Sequence, residues 1–315
     1  SMISNNMLRN ISGSYGNLNK YMNQLSGKKI TRPSDDPVIA MKGMGYRSQL
    51  SNIKQYERNL GEVHNWLNNT GEAMDEVTQI LHRLNDLTLQ ASNGTNDDDD
   101  RANIGKESEQ LLDHLLNIAN TRVNDKYLFN GTDTTGKIAT AGEEIPTTGE
   151  IAVGGERIPP FGRDQNGEFF VSTNDSPVLI EVSAGVRFKV NSDPSSVFSK
   201  GFFDEIQELV DNLNGIIEDP EAIEVDFDKH LGNLEGHLNN TLQEHAEIGA
   251  RMNRIELIEN RLKNQSISAE QMMSDNEDAD TAEVIMNLTM QEAIHRASLS
   301  AGARVLQPSL LDFLR

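Results

Sequence analysis

The stretch LGEVHNWLNNTGEAMDEVTQILHRLNDLTLQA, residues 60–91, decides the fold because its core-type side chains recur every three or four residues without a slip. This spacing is a seven-residue repeat held over more than four heptads, and it predicts a long helix with one stripe packed against neighbouring helices. Residues 227–262 repeat the pattern, and residues 104–118 carry a shorter copy. Asn93-Gly94 separates the first tract from the short one, a link typical of antiparallel neighbours. The sequence therefore predicts a bundle of long helices.

The two ends of the chain carry narrower stripes of the same period. Neither end has a partner helix beside it in sequence, and a lone amphipathic helix cannot bury its own face. We therefore expect the ends to pair with each other or with other molecules; that the stripes fold back onto the chain's own bundle remains the alternative. The predicted subunit-interface residues are Met7, Ile11, Leu18, Leu25, Met290, Ile294, Ala297, Val305, Leu306, Leu310, Leu311 and Leu314.

Between the helical regions, residues 133–200 read as short strands separated by Gly-Gly, Pro-Pro and Asn-Gly turns. The clearest strands are residues 169–171, 178–182 and 186–190. The predicted fold is mainly α with a β insert: a long antiparallel helical rod from the N- and C-terminal regions, plus a small central β-rich domain. The predicted divisions are an N-terminal assembly segment (1–44), a first rod half (45–132), the β-rich domain (133–200), a second rod half (201–274) and a C-terminal assembly segment (275–315).

The composition excludes several classes of protein. Lys and Arg number 28 against 49 Asp and Glu, a formal net charge of −21, so neither nucleic acid nor an anionic membrane face is expected as a partner. Without cysteine, the chain has no disulfide, thiolate nucleophile or cysteine-type zinc site. No apolar run approaches the ~20 residues that span a bilayer, and no cleavable signal opens the sequence. Export, if it occurs, would need a route that uses neither.

The sequence ITRPSDDP, residues 30–37, is the strongest candidate for chemistry because it holds two adjacent carboxylates. Asp at an N-cap followed by Pro at the first helical position is also a common helix start, since the carboxylate accepts backbone N–H groups and proline loses no hydrogen bond there. We interpret Pro33, Asp35, Asp36 and Pro37 as a turn and helix cap.

The other candidate motifs are incomplete. The acidic run Asp97 to Asp100 lacks the glycine at position six and the glutamate at position twelve of a calcium loop, and we expect a helix to begin after it, near Arg101. Glu292 and His295 form a single Glu-x-x-His, and His230, His237 and His245 lie too far apart along a helix to share a metal. We therefore predict no catalytic residue, cofactor or metal, and no enzyme.

Four stretches carry a resemblance: QLSGKKITRPSDDPVIAMKG (24–43), LHRLNDLTLQASNGTNDDDDRANIGKESEQL (81–111), KYLFNGTDT (126–134) and NLTMQEAIHRASLSAGARVLQPSLLDFL (287–314). They closely resemble the flagellin superfamily, and within it the hook–filament junction branch. Flagellins usually continue the Asp-Asp pair with Ala-Ala-Gly, whereas Pro37-Val38 follows here. The family has a Leu-Ser-Ser/Thr-Gly motif, and this chain has Leu25-Ser26-Gly27, which is one residue shorter. We therefore expect the first helix to end there and a loop to accommodate the missing residue.

The resemblance implies an extracellular component of the bacterial flagellum, exported without a cleaved signal. It implies a homo-oligomeric ring held by terminal coiled-coil packing, with the first hook-associated protein on the hook side, flagellin on the filament side, and an export chaperone on the C-terminal helix beforehand. The alternatives are a filament subunit and, in a different class, a glycan- or surface-binding adhesin that uses the β insert.

Overall fold

The computed structural model describes residues 2–30, 33–93, 98–141, 144–147, 152, 154–215 and 225–306. Its helices are α1 (Met2–Gln24), α2 (Pro37–Ser92), α3 (Asp98–Ala119), α4 (Pro194–Val197), α5 (Lys200–Leu213), α6 (Phe227–Glu277) and α7 (Thr281–Leu306). Its strands are β1 (Arg122–Val123), β2 (Lys126–Tyr127), β3 (Lys137–Ile138), β4 (Arg157–Ile158), β5 (Gly162–Arg163), β6 (Phe169–Phe170), β7 (Leu179–Ser183) and β8 (Val186–Lys189). The predicted fold class, mainly α with a β insert, is confirmed.

Two compact units divide the chain. Residues 1–55 and 263–315 form one, which we call the terminal unit, and residues 56–262 form the other, the body unit. The helices α1 and α7 belong to the terminal unit, while α3, α5 and every strand belong to the body unit. Each unit is described separately below.

The core of the body unit is built on the heptad stripe that the sequence revealed. All ten positions of this stripe between residues 60 and 91 are buried, two of them threonines: Leu60, Val63, Leu67, Thr70, Met74, Val77, Leu81, Leu84, Thr88 and Ala91. Thr70 donates its hydroxyl hydrogen to the carbonyl of Trp66 (2.8 Å), and Thr88 donates to that of Leu84 (2.7 Å), so neither buried hydroxyl lacks a partner. Side chains of α3 and α6 are buried in the same apolar cluster as this stripe of α2. The predicted bundle of long helices is therefore confirmed for this unit.

The β insert is four separate antiparallel pairs, β1–β2, β3–β4, β5–β6 and β7–β8, rather than one continuous sheet. The first pair, β1–β2, is a hairpin that turns at Asn124 and Asp125, whose positive φ angles of 51° and 62° make the tight turn. The insert shares the helices' core, because Phe161, Phe169 and Phe188 are buried in the same apolar cluster as α2 and α3. Helix α5 contributes the buried side chains of Phe202 and Phe203 to this cluster.

One predicted boundary is wrong. Helix α3 begins at Asp98, before the expected start near Arg101. The acidic run therefore supplies the first helical turn instead of preceding it. Carboxylates in a first turn interact favourably with the positive end of the helix dipole, which is why this segment continues as helix. Residues 94–97, including Asp97, lie outside the described residues.

Candidate assembly surface of the terminal unit

Helices α1 and α7 pack against each other in an antiparallel pair. Gln291 Nε2 donates to Ser14 Oγ (3.0 Å), and a Cβ placed on Gly302 would lie 3.5 Å from Ile11 Cδ1 and from Met7 Cε. As α1 runs towards its N-terminus, its contacts therefore move towards the C-terminus of α7. The buried and half-buried positions of α7 include a set with heptad spacing, with Asn287 and Glu292 beside it: Val284, Leu288, Gln291, His295, Ser298 and Gly302. Much of this contact stripe is polar or small.

The predicted interface residues of α1 lie on the side that faces α7. Met7, Ile11 and Leu18 are half-buried, on the same heptad stripe as the buried Ser14. Leu25 lies just beyond the end of α1 and is exposed. The helix ends at Gln24, and Gly27 has a φ of 93°, so a loop follows the shortened Leu-Ser-Gly motif as expected.

The predicted interface residues of α7 face solvent instead. Met290 is 57% exposed and Ile294 is 47% exposed, and Ala297 is exposed beside them. Val305 and Leu306 belong to the end of α7, but their side chains lie outside the described part of the chain. Leu310, Leu311 and Leu314 lie outside the described residues altogether. On α7, the apolar stripe and the stripe that contacts α1 therefore lie on different faces of the helix.

Sequence reasoning missed a second apolar face on α1. Leu8, Tyr15 and Met22 are between 54 and 58% exposed and recur every seven residues. The sequence contains this spacing, but the neighbouring stripe through Met7, Ile11 and Leu18 has more apolar members and gives the stronger signal. Further exposed apolar side chains on helices of this unit are Val38, Met41 and Met44 on α2 and Ile285, Met286 and Leu299 on α7. Ile267 and Met272 are exposed on the part of α6 that belongs to this unit, so the terminal unit exposes large apolar side chains on four of its helices.

The loop between α1 and α2 is fixed to the end of α6. Lys29 N donates to Glu277 O (2.7 Å), and Ala279 N donates to Gly27 O (2.9 Å). Arg47 donates from Nε (3.1 Å) and Nη2 (2.5 Å) to the same oxygen, Oε1 of Glu277. The carboxylate lies over Gly43, where an added Cβ would clash with Oε1. We call Gly43, Arg47 and Glu277 the clasp.

The Asp-Asp pair has the geometry of a helix cap. Asp36 Oδ1 accepts hydrogen bonds from the backbone N–H groups of Val38 (2.9 Å) and Ile39 (3.1 Å), and α2 begins at Pro37. Pro33 and Asp35 lie in the turn just before it. Both carboxylate contacts are backbone donors at a helix start, which is the arrangement of an N-cap.

The body unit contains a concave acidic surface between the β5–β6 hairpin and α5. Its carboxylates include those of Glu168, Asp204, Glu208 and Asp211. Burial raises the pKa of Asp204 above its ordinary value, Lys200 lowers it, and Glu168 raises it further. Within the described ranges, no group of three or more His, Cys, Asp or Glu side chains is placed to hold a metal ion. The same ranges contain no helix long and apolar enough to cross a membrane.

Comparison with known proteins agrees with this architecture. Residues 1–134 match the model of the bacterial flagellin N-terminal helical region, and residues 231–314 match that of the C-terminal helical region. The chain is 27% identical over 308 residues to flagellar hook-associated protein 3 of Escherichia coli, covering 93% of this chain and 92% of that protein. It is also 27% identical over 293 residues to the flagellar filament 31.3 kDa core protein of Treponema maltophilum, covering 92% and 89% respectively.

A solved structure of a flagellar hook-associated protein from Vibrio parahaemolyticus has the same fold. The TM-score is 0.65 at 20% identity, over 78% of this chain and all of that one. The two family models together cover more than two thirds of the sequence and leave out residues 135–230, where strands β3 to β8 lie. The chain therefore belongs to the flagellin superfamily, as a relative of hook-associated protein 3.

Proposed function

We propose that this chain is a structural adaptor of the bacterial flagellum, and that a ring of its copies joins the hook to the filament. The observation that carries the proposal is the exposed apolar surface of the terminal unit, on α1, the start of α2 and α7. Apolar side chains exposed together on neighbouring helices are typical of surfaces that another molecule covers. Full-length similarity to hook-associated protein 3 supports the position at the junction.

Packing between subunits supplies the energy for this assembly. Each large apolar side chain contributes about 1.5–3 kcal/mol when it moves from water into a contact. Six or more such side chains per subunit can therefore outweigh the cost of association, which is itself at least several kcal/mol. The exposed members of the predicted interface, Leu25, Met290, Ile294 and Ala297, lie on this surface together with the Leu8, Tyr15 and Met22 face.

The partners follow from the same proposal. A junction adaptor contacts the first hook-associated protein on the hook side and flagellin on the filament side. Before assembly, an export chaperone covers the apolar face of the C-terminal helix. The site of action is outside the cell, in the flagellum, and the adaptor performs no catalysis.

Replacement of exposed apolar residues in the terminal unit tests this function. In a strain of the source bacterium that lacks the chain, we expect hooks without filaments and flagellin released into the medium. A purified Met290→Asp, Ile294→Asp variant, added from outside to these hook-bearing cells so that export is not needed, should be folded yet fail to restore filaments, because two carboxylates would then lie in the subunit contact. Leu257→Asp is the control, since Leu257 is an even more exposed apolar side chain, on α6, but lies in the body unit. Normal filaments in the deletion strain would disprove the adaptor role.

A filament subunit is the second candidate, favoured by the full-length similarity to the Treponema filament protein. Immunogold labelling of the wild-type flagellum separates the two roles. An adaptor should be labelled only at the boundary between hook and filament. Label along the whole filament would assign the chain to the filament instead.

A further inference from the structure

Sulfur is distributed unevenly in this molecule. The chain has no cysteine and 11 methionines, so every sulfur atom is a thioether. Nine of the 11 methionines lie in the terminal unit, and only Met74 and Met252 lie in the body unit. Core packing accounts for Met74, which is completely buried, and for Met252, which packs against the same apolar cluster. It does not account for the methionines of the terminal unit.

Among the methionines whose side chains the structure describes, six in the terminal unit are exposed, by between 38 and 71%: Met22, Met41, Met44, Met272, Met286 and Met290. They occupy four helices, and five of them lie within the exposed apolar surfaces of α1, α2 and α7. Susceptibility of a thioether to oxidation follows its exposure to solvent. The reactive sulfur of the unassembled protein is therefore concentrated on the surface assigned to assembly.

We propose that these exposed methionines form an oxidation site that controls assembly, with peroxides as the oxidant. The sulfur lone pair attacks one peroxide oxygen, the O–O bond breaks, and the oxygen remains on sulfur as a sulfoxide. With hydrogen peroxide, the proton of the attacked oxygen passes to the other oxygen, which leaves as water. Sulfur loses two electrons and the peroxide gains them, so the reaction needs no further co-reactant. Methionine sulfoxide reductases, which act on protein sulfoxides, would reverse it.

The consequence for assembly follows from polarity and shape. A sulfoxide is polar and chiral, whereas the thioether is apolar and adapts its conformation to its neighbours. In the solitary chain the new oxygen points into water and costs little. In a subunit contact it must be desolvated, so each buried sulfoxide should weaken the contact about tenfold or more. This inference rests on the proposed function, because it needs the terminal unit to be covered on assembly.

The experiment compares the full chain with a variant in which all six exposed methionines are leucine. Leucine keeps the volume and apolar character of methionine and cannot form a sulfoxide. Each purified protein is treated with hydrogen peroxide, quenched and added to hook-bearing cells that lack the chain, and restored filaments are counted. Peptide mass spectrometry measures sulfoxide at each position, and circular dichroism measures helix content before and after treatment.

We expect peroxide to reduce the number of filaments restored by the wild-type chain at least tenfold while its helix content stays unchanged. Treatment with methionine sulfoxide reductases should then bring the number of filaments back to that of the untreated chain. The leucine variant should restore as many filaments after peroxide as before it, whatever its untreated activity. Met74 should be oxidised at least about tenfold more slowly than Met41. Should the sixfold variant fold poorly, Met41→Leu, Met44→Leu and Met290→Leu together should protect partially.

Two results would overturn the inference: treated wild-type chain that restores filaments as well as untreated chain, or a leucine variant that loses activity to peroxide equally. Equal oxidation rates at Met74 and Met41 would also overturn it. Failure of the untreated wild-type chain would count against the adaptor function instead, and the site-resolved oxidation rates would still decide whether the terminal unit holds the reactive sulfur.

Discussion

The terminal and body units are built from different apolar side chains and different charges. Nine of ten phenylalanines lie in the body unit, whereas nine of 11 methionines lie in the terminal unit. The body unit has 16 Lys and Arg against 39 Asp and Glu, whereas the terminal unit has 12 against 10. Rigid aromatic rings suit a core with one packing arrangement, while flexible thioethers suit a surface that must fit a second molecule.

This difference separates folding from assembly. The body unit buries its own aromatic cluster and carries the excess negative charge on its surface, which keeps it soluble. The terminal unit has little excess charge and leaves apolar faces uncovered. Substitutions in the two units should therefore change different measurable quantities, and the predictions below test that division.

The largest expected effect is on the stability of the body unit. Phe203 is completely buried and its ring contacts those of Phe161, Phe169, Phe198 and Phe202. Phe203→Ala should lower the free energy of unfolding by about 3–5 kcal/mol, because it removes apolar burial and leaves a cavity. Thermal or urea unfolding monitored by circular dichroism measures this loss.

The control for Phe203→Ala is a large-to-small change in the terminal unit. Met290→Ala should leave the unfolding free energy within about 0.5 kcal/mol of the wild type, since Met290 is exposed. Equal destabilisation by both substitutions would show that the exposed face of α7 already contributes to the solitary fold, and the separation of folding from assembly would fail.

The clasp should give a smaller, local effect. The side chain of Glu277 is 11% exposed and that of Arg47 is 58% exposed. Water therefore reaches the arginine but hardly reaches the carboxylate, and it screens the ion pair only in part. Glu277→Ala should lower the local stability of the terminal unit by about 1 kcal/mol after allowance for this screening. Hydrogen exchange along α7 should then quicken about fivefold while exchange in α3 is unchanged.

Two variants sharpen the interpretation of the clasp. Gly43→Ala should act in the same direction, because its Cβ would meet the carboxylate of Glu277. Glu270→Ala should have no effect on hydrogen exchange, since Glu270 is an exposed carboxylate on the same helix. Faster exchange in the Glu270 variant would attribute the effect to lost charge on α6 and not to the clasp.

Acid should weaken the body unit through His230. Burial lowers the pKa of His230 below its ordinary value of 6.5, against the opposing effect of Glu208; Lys229 lowers it too, while Asp226 and Glu205 raise it. The folded state therefore binds this proton less readily than the unfolded state does. The contribution to stability is complete above about pH 6.5 and is lost as the pH falls through the lower, folded-state pKa.

The geometry agrees with a neutral imidazole. Asn212 Nδ2 lies 3.0 Å from His230 Nε2, which can accept that hydrogen only while it carries no proton. Urea unfolding between pH 7.5 and 5 should show a smaller decline with acid for His230→Gln than for the wild type. His82→Gln is the control, because His82 is exposed on α2. An identical pH profile for the wild type and His230→Gln would refute the assignment.

The sequence predicted the body unit's helices well because one strong constraint acts there. Each residue from Leu60 to Ala91 on the heptad stripe must avoid water, so period and burial coincide. The same rule gave an ambiguous answer in α7, where the apolar stripe through Met290 is exposed and a polar stripe through Gln291 contacts α1. A face reserved for another molecule has the same pattern as a core face, and the sequence of one chain does not distinguish them.

The clasp was beyond prediction for a different reason. Gly43 and Glu277 are 234 residues apart, and no local pattern links a helical glycine to a distant glutamate. The β insert shows the same limit, since its strand pairs are only two to five residues long and give weak periodic signals. The Asp36 cap, in contrast, could be predicted from the sequence, because the carboxylate and its backbone donors are neighbours in the chain.

The smallest expected effect is on an exposed ion pair, and it shows how much burial matters to the clasp. Arg83 donates from Nε to Glu107 Oε1 (2.7 Å), as Arg47 does to Glu277, but the two side chains are 52% and 43% exposed. Arg83→Ala should change the free energy of unfolding by no more than about 0.5 kcal/mol, because water and salt screen the pair and both long side chains lose freedom to form it. Urea unfolding at low and at high salt measures this change. A loss equal to that at the clasp would mean that hydrogen-bond geometry alone sets the strength of these contacts, and the burial of Glu277 would then have no special role.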